Sequence, residues 1–166
     1  MNFEKLTIEH DEEFVKSVSF KLIASNRHNA INGSFVFAED INEFQISNRI
    51  VSRKLNGRYW QLYNVSINGC HLLDNSMGKR NPIFDVVMKE VRKSIRNLPN
   101  RCPMKKHTKI SVLDFHYNEE LFPPYMPSGT FDSWFMLSSK KKLLMKIFTS
   151  TEIEARNSEK YRRRKL

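Results

Sequence analysis

The side chains able to do covalent, metal or proton-transfer chemistry are few in this 166-residue sequence. A zinc site on the usual four-ligand pattern needs clustered Cys and His. Cys70, Cys102, His10, His28, His71, His107 and His116 show neither C-x-x-C nor H-x(3-5)-H spacing, so no metal is expected. Cys70 and His71 are neighbours in what reads as a strand, where successive side chains point to opposite faces, and this excludes a thiol–imidazole pair. Cys102, followed by Pro103 with His107 nearby, reads as a loop coincidence. The paired carboxylates Asp11/Glu12, Glu119/Glu120 and Glu152/Glu154 have no apolar surroundings that would push two proton affinities apart, and read as solvated charges. The only glycines, at 33, 57, 69, 78 and 129, compose neither G-x-G-x-x-G nor a P-loop, and no G-x-S-x-G elbow occurs. The chain is therefore expected to be no enzyme and to use no cofactor. Cys70 and Cys102 are left either as a disulfide or as two free thiols, according to compartment.

Two glycan acceptor patterns, Asn32-Gly33-Ser34 and Asn64-Val65-Ser66, bear on compartment. The opening MNFEKLTIEHDEEF lacks a basic stretch followed by an apolar one and does not read as a signal peptide. No run approaches the roughly 18 uncharged apolar residues that cross a bilayer, so no membrane span is expected. The net charge is +10, but the last ten residues, NSEKYRRRKL, hold five basic and one acidic side chain, hence +4, which leaves +6 for the other 156. Such a tail is a candidate localisation signal, RNA-binding appendage or anionic-surface tether, with a solvated terminus as the plain reading. Arg53, Lys54, Arg58, Tyr59 and Trp60 interleave the side-chain types that hold phosphates and stack on bases. No RRM-like string accompanies them, and strand aromatics are ordinarily core, so nucleic acid is not the expected partner.

The length suits one domain with a real core, and 40% hydrophobic residues with twelve phenylalanines suffice to build it. Residues 12–156 are expected to form that domain, with 1–11 and 157–166 as flexible termini. Residues 17–25 alternate Val18, Phe20 and Leu22 as a half-buried strand does; 33–41, 43–55 and 58–70 follow as further strands. In the last of these Tyr63, Val65 and Ile67 share one face and Asn64 the other, so a glycan on Asn64 would point outward. The period then changes. Asn81 and Pro82 start a helix over 82–98 in which Phe84, Val87, Met88, Val91, Ile95 and Leu98 recur every three or four residues. Strands at 109–117, 130–139 and 141–155 complete the chain, the first two separated by the Pro-rich loop LFPPYMPSG. Four strands, a helix and three strands predict a mainly β protein, a two-layer antiparallel β-sandwich of about seven strands, rather than alternating βαβ units.

One ordered series is more specific than any of its pieces: NGRYWQLYNVSINGCHLL, an Asn-Pro-started helix, NRCPMKKHTKISV, then FPPYMPSGTFDSWF, all within residues 53–137. It resembles an insect family of small extracellular proteins labelled domain of unknown function 1091, itself similar to the immunoglobulin-like MD-2-related lipid-recognition (ML) sandwich. The resemblance implies a secreted glycoprotein, a Cys70–Cys102 disulfide, a site for an apolar ligand between two sheets and, in some insect relatives, a link to chemosensation. Such a bridge would clamp the helix against the sheets and contribute roughly 3 to 4 kcal/mol through loop entropy.

Phe35, Phe37, Leu62, Phe84, Met88, Phe115, Phe131, Phe135 and Phe148 are the expected apolar lining, with Trp134, Met136 and Leu144 also facing inward. The mouth is expected on the helix side, between Phe84, Met88 and the loop at 122–127. The expected function is that of a secreted, non-enzymatic binder of a small hydrophobic or lipid-like molecule, with a membrane receptor as a further partner. The rival expectation is an extracellular protein-interaction module with a filled interior.

Overall fold

The computed structural model describes residues 1–24, 28–54, 56–76, 78, 81–154, 159, 162, 163 and 166. Among them are nine strands: β1 (Asn2–His10), β2 (Val15–Ile23), β3 (Ala30–Phe37), β4 (Gln45–Arg53), β5 (Tyr59–Asn68), β6 (Ile95–Arg96), β7 (Lys109–Phe115), β8 (Gly129–Ser139) and β9 (Lys142–Ile153). Two helices, α1 (Gly69–Leu73) and α2 (Pro82–Ser94), lie between β5 and β6. All pairing is antiparallel, in one sheet ordered β1-β9-β8-β4-β5 and another ordered β2-β3-β7-β6. The two-layer architecture read from the sequence is present, with nine strands where about seven were expected.

Both added strands have a local cause. Residues 2–10, expected as part of a flexible terminus, are β1, paired along β9. A bulge between Phe3 and Lys5 breaks the alternation of the segment, which hides its period. Phe3 is nonetheless 2% exposed and packs against the rings of Phe115 and Tyr117. At the other site the helix stops four residues early. Ile95 takes an extended conformation and pairs with Val112, so Ile95–Arg96 form β6 and Leu98 lies beyond the helix. Cys70 and His71 also leave the strand reading: the Asn68 side chain accepts the Cys70 and His71 N–H groups and starts α1. Of the tail, only residues 159, 162, 163 and 166 are described; Arg163 donates to Glu159 there, and the expectations for the rest of 157–166 lie outside the described residues.

Asn81 caps α2 by accepting the Ile83 and Phe84 N–H groups, and Pro82 occupies the first turn, where a missing N–H costs nothing. The helix turns Phe84, Val87 and Met88 inward; Phe84 meets the Tyr63 ring of β5 edge to face, with centroids 6.1 Å apart. Because α2 contacts β5 in one sheet and runs directly into β6 in the other, it spans the side of the sandwich between two edge strands. A disulfide holds this arrangement: Cys70 at the start of α1 is bonded to Cys102, with Cα atoms 5.4 Å apart and a sequence separation of 32. The bridge therefore brackets α2.

One buried polar group ties the central strands of the larger sheet. Asn48 of β4, 1% exposed, donates from Nδ2 to the Ser133 hydroxyl at 3.1 Å and to the Trp134 carbonyl at 3.0 Å, and its Oδ1 accepts the Tyr63 hydroxyl. Both donors and the acceptor of the amide are in use, so the group is buried without an orphan.

Two stability outcomes follow. The Cys70→Ala/Cys102→Ala double variant is expected to lose about 3–4 kcal/mol in urea unfolding, the entropy of a 32-residue loop. Asn48→Leu is expected to lose about 1–3 kcal/mol because it strands the Tyr63 hydroxyl, and adding Tyr63→Phe should recover part of that loss.

Candidate functional site

The two sheets do not close on one another completely. Between them lies a cavity of about 150 Å³. The smaller sheet contributes Phe20, Phe35, Ile110 and Phe115 to it, and the larger sheet Ile46, Phe135, Met145 and Ile147. The helices close the side with Leu72, Leu73, Val87, Met88 and Val91. On the same measure one water needs about 10–15 Å³, so the space holds on the order of ten water-sized or methylene-sized groups. A void walled this way stays dry unless something apolar fills it.

Polar groups at the wall are few and differ in kind. Asn48, Ser133 and Thr149 face the cavity from the larger sheet, and Asn48 is satisfied within it. Tyr117 also reaches the wall, and burial pushes its hydroxyl and that of Tyr63 above the ordinary tyrosine range. Both therefore stay neutral. Arg92 of α2 is the one charged side chain among the described residues of the wall, and its Nη1 donates to Asn75 at 2.6 Å. It is half-buried, as are Ile95, Leu98 and Val112 around it, so the open side of the cavity lies at the C-terminal end of α2.

Of the lining expected from the sequence, Phe35, Phe37, Met88, Phe115 and Phe135 meet at this cavity. Leu62 and Phe131 line a separate void of about 20 Å³, together with Phe122 and Met126 of the Pro-rich loop. The loop at 122–127 thus adjoins the small void and not the main one, and the expected mouth is displaced toward Arg92 and Ile95. Phe84, wholly buried, packs in the core against Tyr63 and reaches neither space. Phe148 lies outside the cavity, its ring 5.3 Å from that of Trp134 with Lys5 above it. The reason is visible in the register: Phe135 pairs with Ile147 facing the cavity, so Trp134 and Phe148, paired one step along, occupy the opposite face.

The remaining candidates are also placed. Cys70 is bonded to Cys102, so neither carries a thiolate nucleophile. Asn64 is exposed on the outward side of β5, as the strand period required. Asn32 is half-buried in β3, where its Oδ1 accepts the Asp114 N–H at 2.7 Å. Tyr59 and Trp60 are 66% and 54% exposed beside the β4–β5 turn, contrary to their expected place in the core. Arg53 is engaged by Asp132 and Ser150. Among the described residues no helix is long and apolar enough to cross a membrane.

No curated protein matches this chain. A solved structure that is similar is a Niemann-Pick type C2 protein from the Japanese carpenter ant, at 12% identity, covering 92% of each chain with a TM-score of 0.35. Residues 44–133, more than half of the sequence, match the family described as "Protein of unknown function (DUF1091)". They include β4, the start of α1 with Cys70, the capped α2, Cys102 and the first half of β8, which are the parts that build the bracketed wall. The chain belongs to the domain of unknown function 1091 family.

Proposed function

We propose that this protein binds a small amphiphile outside the cell, holding the hydrocarbon part between its sheets and an anionic head at Arg92, and carries or presents it without altering it. The cavity carries this reading: about 150 Å³ bounded almost wholly by aliphatic and aromatic side chains is costly to leave empty. Burial of a chain of about ten carbons would contribute up to about 8 kcal/mol at roughly 0.8 per methylene, before association costs. Arg92 sits at the open side, where its guanidinium, anchored by the Nη1 bond to Asn75, supplies a planar positive charge of the kind that suits a carboxylate. The disulfide supports an oxidising compartment, and exposed Asn64 is the better placed glycan acceptor of the two. Delivery to a membrane receptor, in chemosensation or elsewhere, is the role that such a carrier would serve. The rival reading, an interaction module with a filled interior, needs a space between the sheets too small for any guest.

The disulfide-bonded protein is expected to bind decanoic acid and to release it to a competing fluorescent fatty acid. Val91→Trp, which pushes an indole into the cavity from α2, should weaken binding at least tenfold with the fold intact by circular dichroism. Arg92→Gln should weaken decanoic acid about ten- to a hundredfold, the worth of a charge-assisted hydrogen bond, and leave decanol nearly unchanged. Absence of binding by the wild-type protein, or equal binding by Val91→Trp, would overturn the proposal.

A further inference from the structure

Three side chains with metal-binding chemistry meet at a place that takes no part in the cavity. His28, in the connection between β2 and β3, lies beside Asp114 and His116 at the end of β7, and one ligand atom from each is within 4.8 Å of the other two. The spacing in sequence conceals this, because the cluster forms only when β3 and β7 pair. The two imidazole rings lie face to face, centroids 4.0 Å apart and planes inclined by 27°.

The surroundings hold these groups in register. β7 carries a bulge: Val112 pairs with Gly33 and Phe115 with Ile31, so three steps on β7 match two on β3. Asp114 takes the left-handed conformation there, with φ 52°, and its N–H is held by the Asn32 side chain at 2.7 Å. Such bulges re-aim side chains. The neighbour of His28 is pinned as well: Asn29 donates its N–H to the Asn2 side chain and its side-chain amide to the Phe3 carbonyl. His116 Nδ1 stands 2.8 Å from the Asp114 carbonyl oxygen. A carbonyl only accepts, so Nδ1, which also lies 3.6 Å from the Asp114 carboxylate, carries the proton of that bond and Nε2 is the nitrogen left to present a lone pair.

We propose that His28, Asp114 and His116 bind a divalent transition-metal ion, Zn²⁺ above all, leaving a coordination position to water. Two imidazoles and one carboxylate select Zn²⁺, Cu²⁺ or Ni²⁺ over Mg²⁺ and Ca²⁺, which require oxygen donors. Bonds of about 2.0–2.2 Å to the ion place ligand atoms roughly 3.3 Å apart, so binding draws the three groups inward and turns the stacked rings so that their lone pairs converge. The histidines are half-buried and the aspartate is exposed. The ion would then clasp the β2–β3 connection to the end of β7, directly behind Phe115 of the cavity wall. The site is independent of the proposed ligand.

The test uses the full, disulfide-bonded chain without an affinity tag, stripped with a chelator and titrated with Zn²⁺ alone. One ion per chain is expected, with His28→Ala and His116→Ala each weakening uptake at least tenfold, Asp114→Asn weakening it less, and His71→Ala and His107→Ala without effect. Mg²⁺ and Ca²⁺ in excess should not compete. In the wild-type protein, two of the five histidine ring signals should shift together on adding Zn²⁺, a readout that does not depend on a variant folding. No uptake, unchanged uptake in both histidine variants, or shifts confined to the other three histidines would overturn the assignment.

Discussion

The covalent bracket around α2 is the constraint on which the rest of the structure depends. Two sheets with apolar inner faces would lower their free energy by closing until no space remained, since every void forfeits dispersion contacts. Here one side of the sandwich is occupied by a helix that touches β5 and turns into β6, and Cys70–Cys102 fixes both approaches to it. The helix thereby acts as a spacer. The cavity, its aliphatic side wall and the placement of Arg92 at its open end all follow from that wedge being unable to withdraw.

Much of this was legible because the sequence states it locally. Asn81-Pro82 and the three-to-four spacing from Phe84 to Val91 announce α2, and the alternation of Tyr63, Val65 and Ile67 orients β5 and places Asn64 outside. What was hidden depended on contacts between distant segments. The start of the chain reads as an acidic lead because a bulge at Phe3 offsets its period, yet β9 captures it as a strand. Ile95 keeps the helical spacing and becomes a strand because Val112 is available to pair with it.

The inner surface shows the same division. Phe35, Phe37 and Phe115 could be assigned to the interior from their own strands, whereas WFM in β8 and LLMKIF in β9 are apolar on both faces and give no local cue. Phe148 therefore reads as lining and lies outside, stacked with Trp134 under Lys5, while its neighbour Ile147 takes the inward place. Arg92 reads as one more charge on a basic helix face; only its position at the end of a cavity distinguishes it from Lys89 and Lys93.

The irregularities of the outer strands also bear on how the molecule behaves in company. A sandwich of open sheets exposes four ladder margins, each able in principle to recruit another copy. Here β1, β2 and β5 each carry an additional residue that disrupts their spacing, at Glu4, near Ser17 and at Leu62, and β6 is only two residues long. Among the described residues, each of the three longer margins has its row of hydrogen-bonding groups interrupted. Interrupted in this way, the longer edges are poor templates for the addition of a strand from another chain.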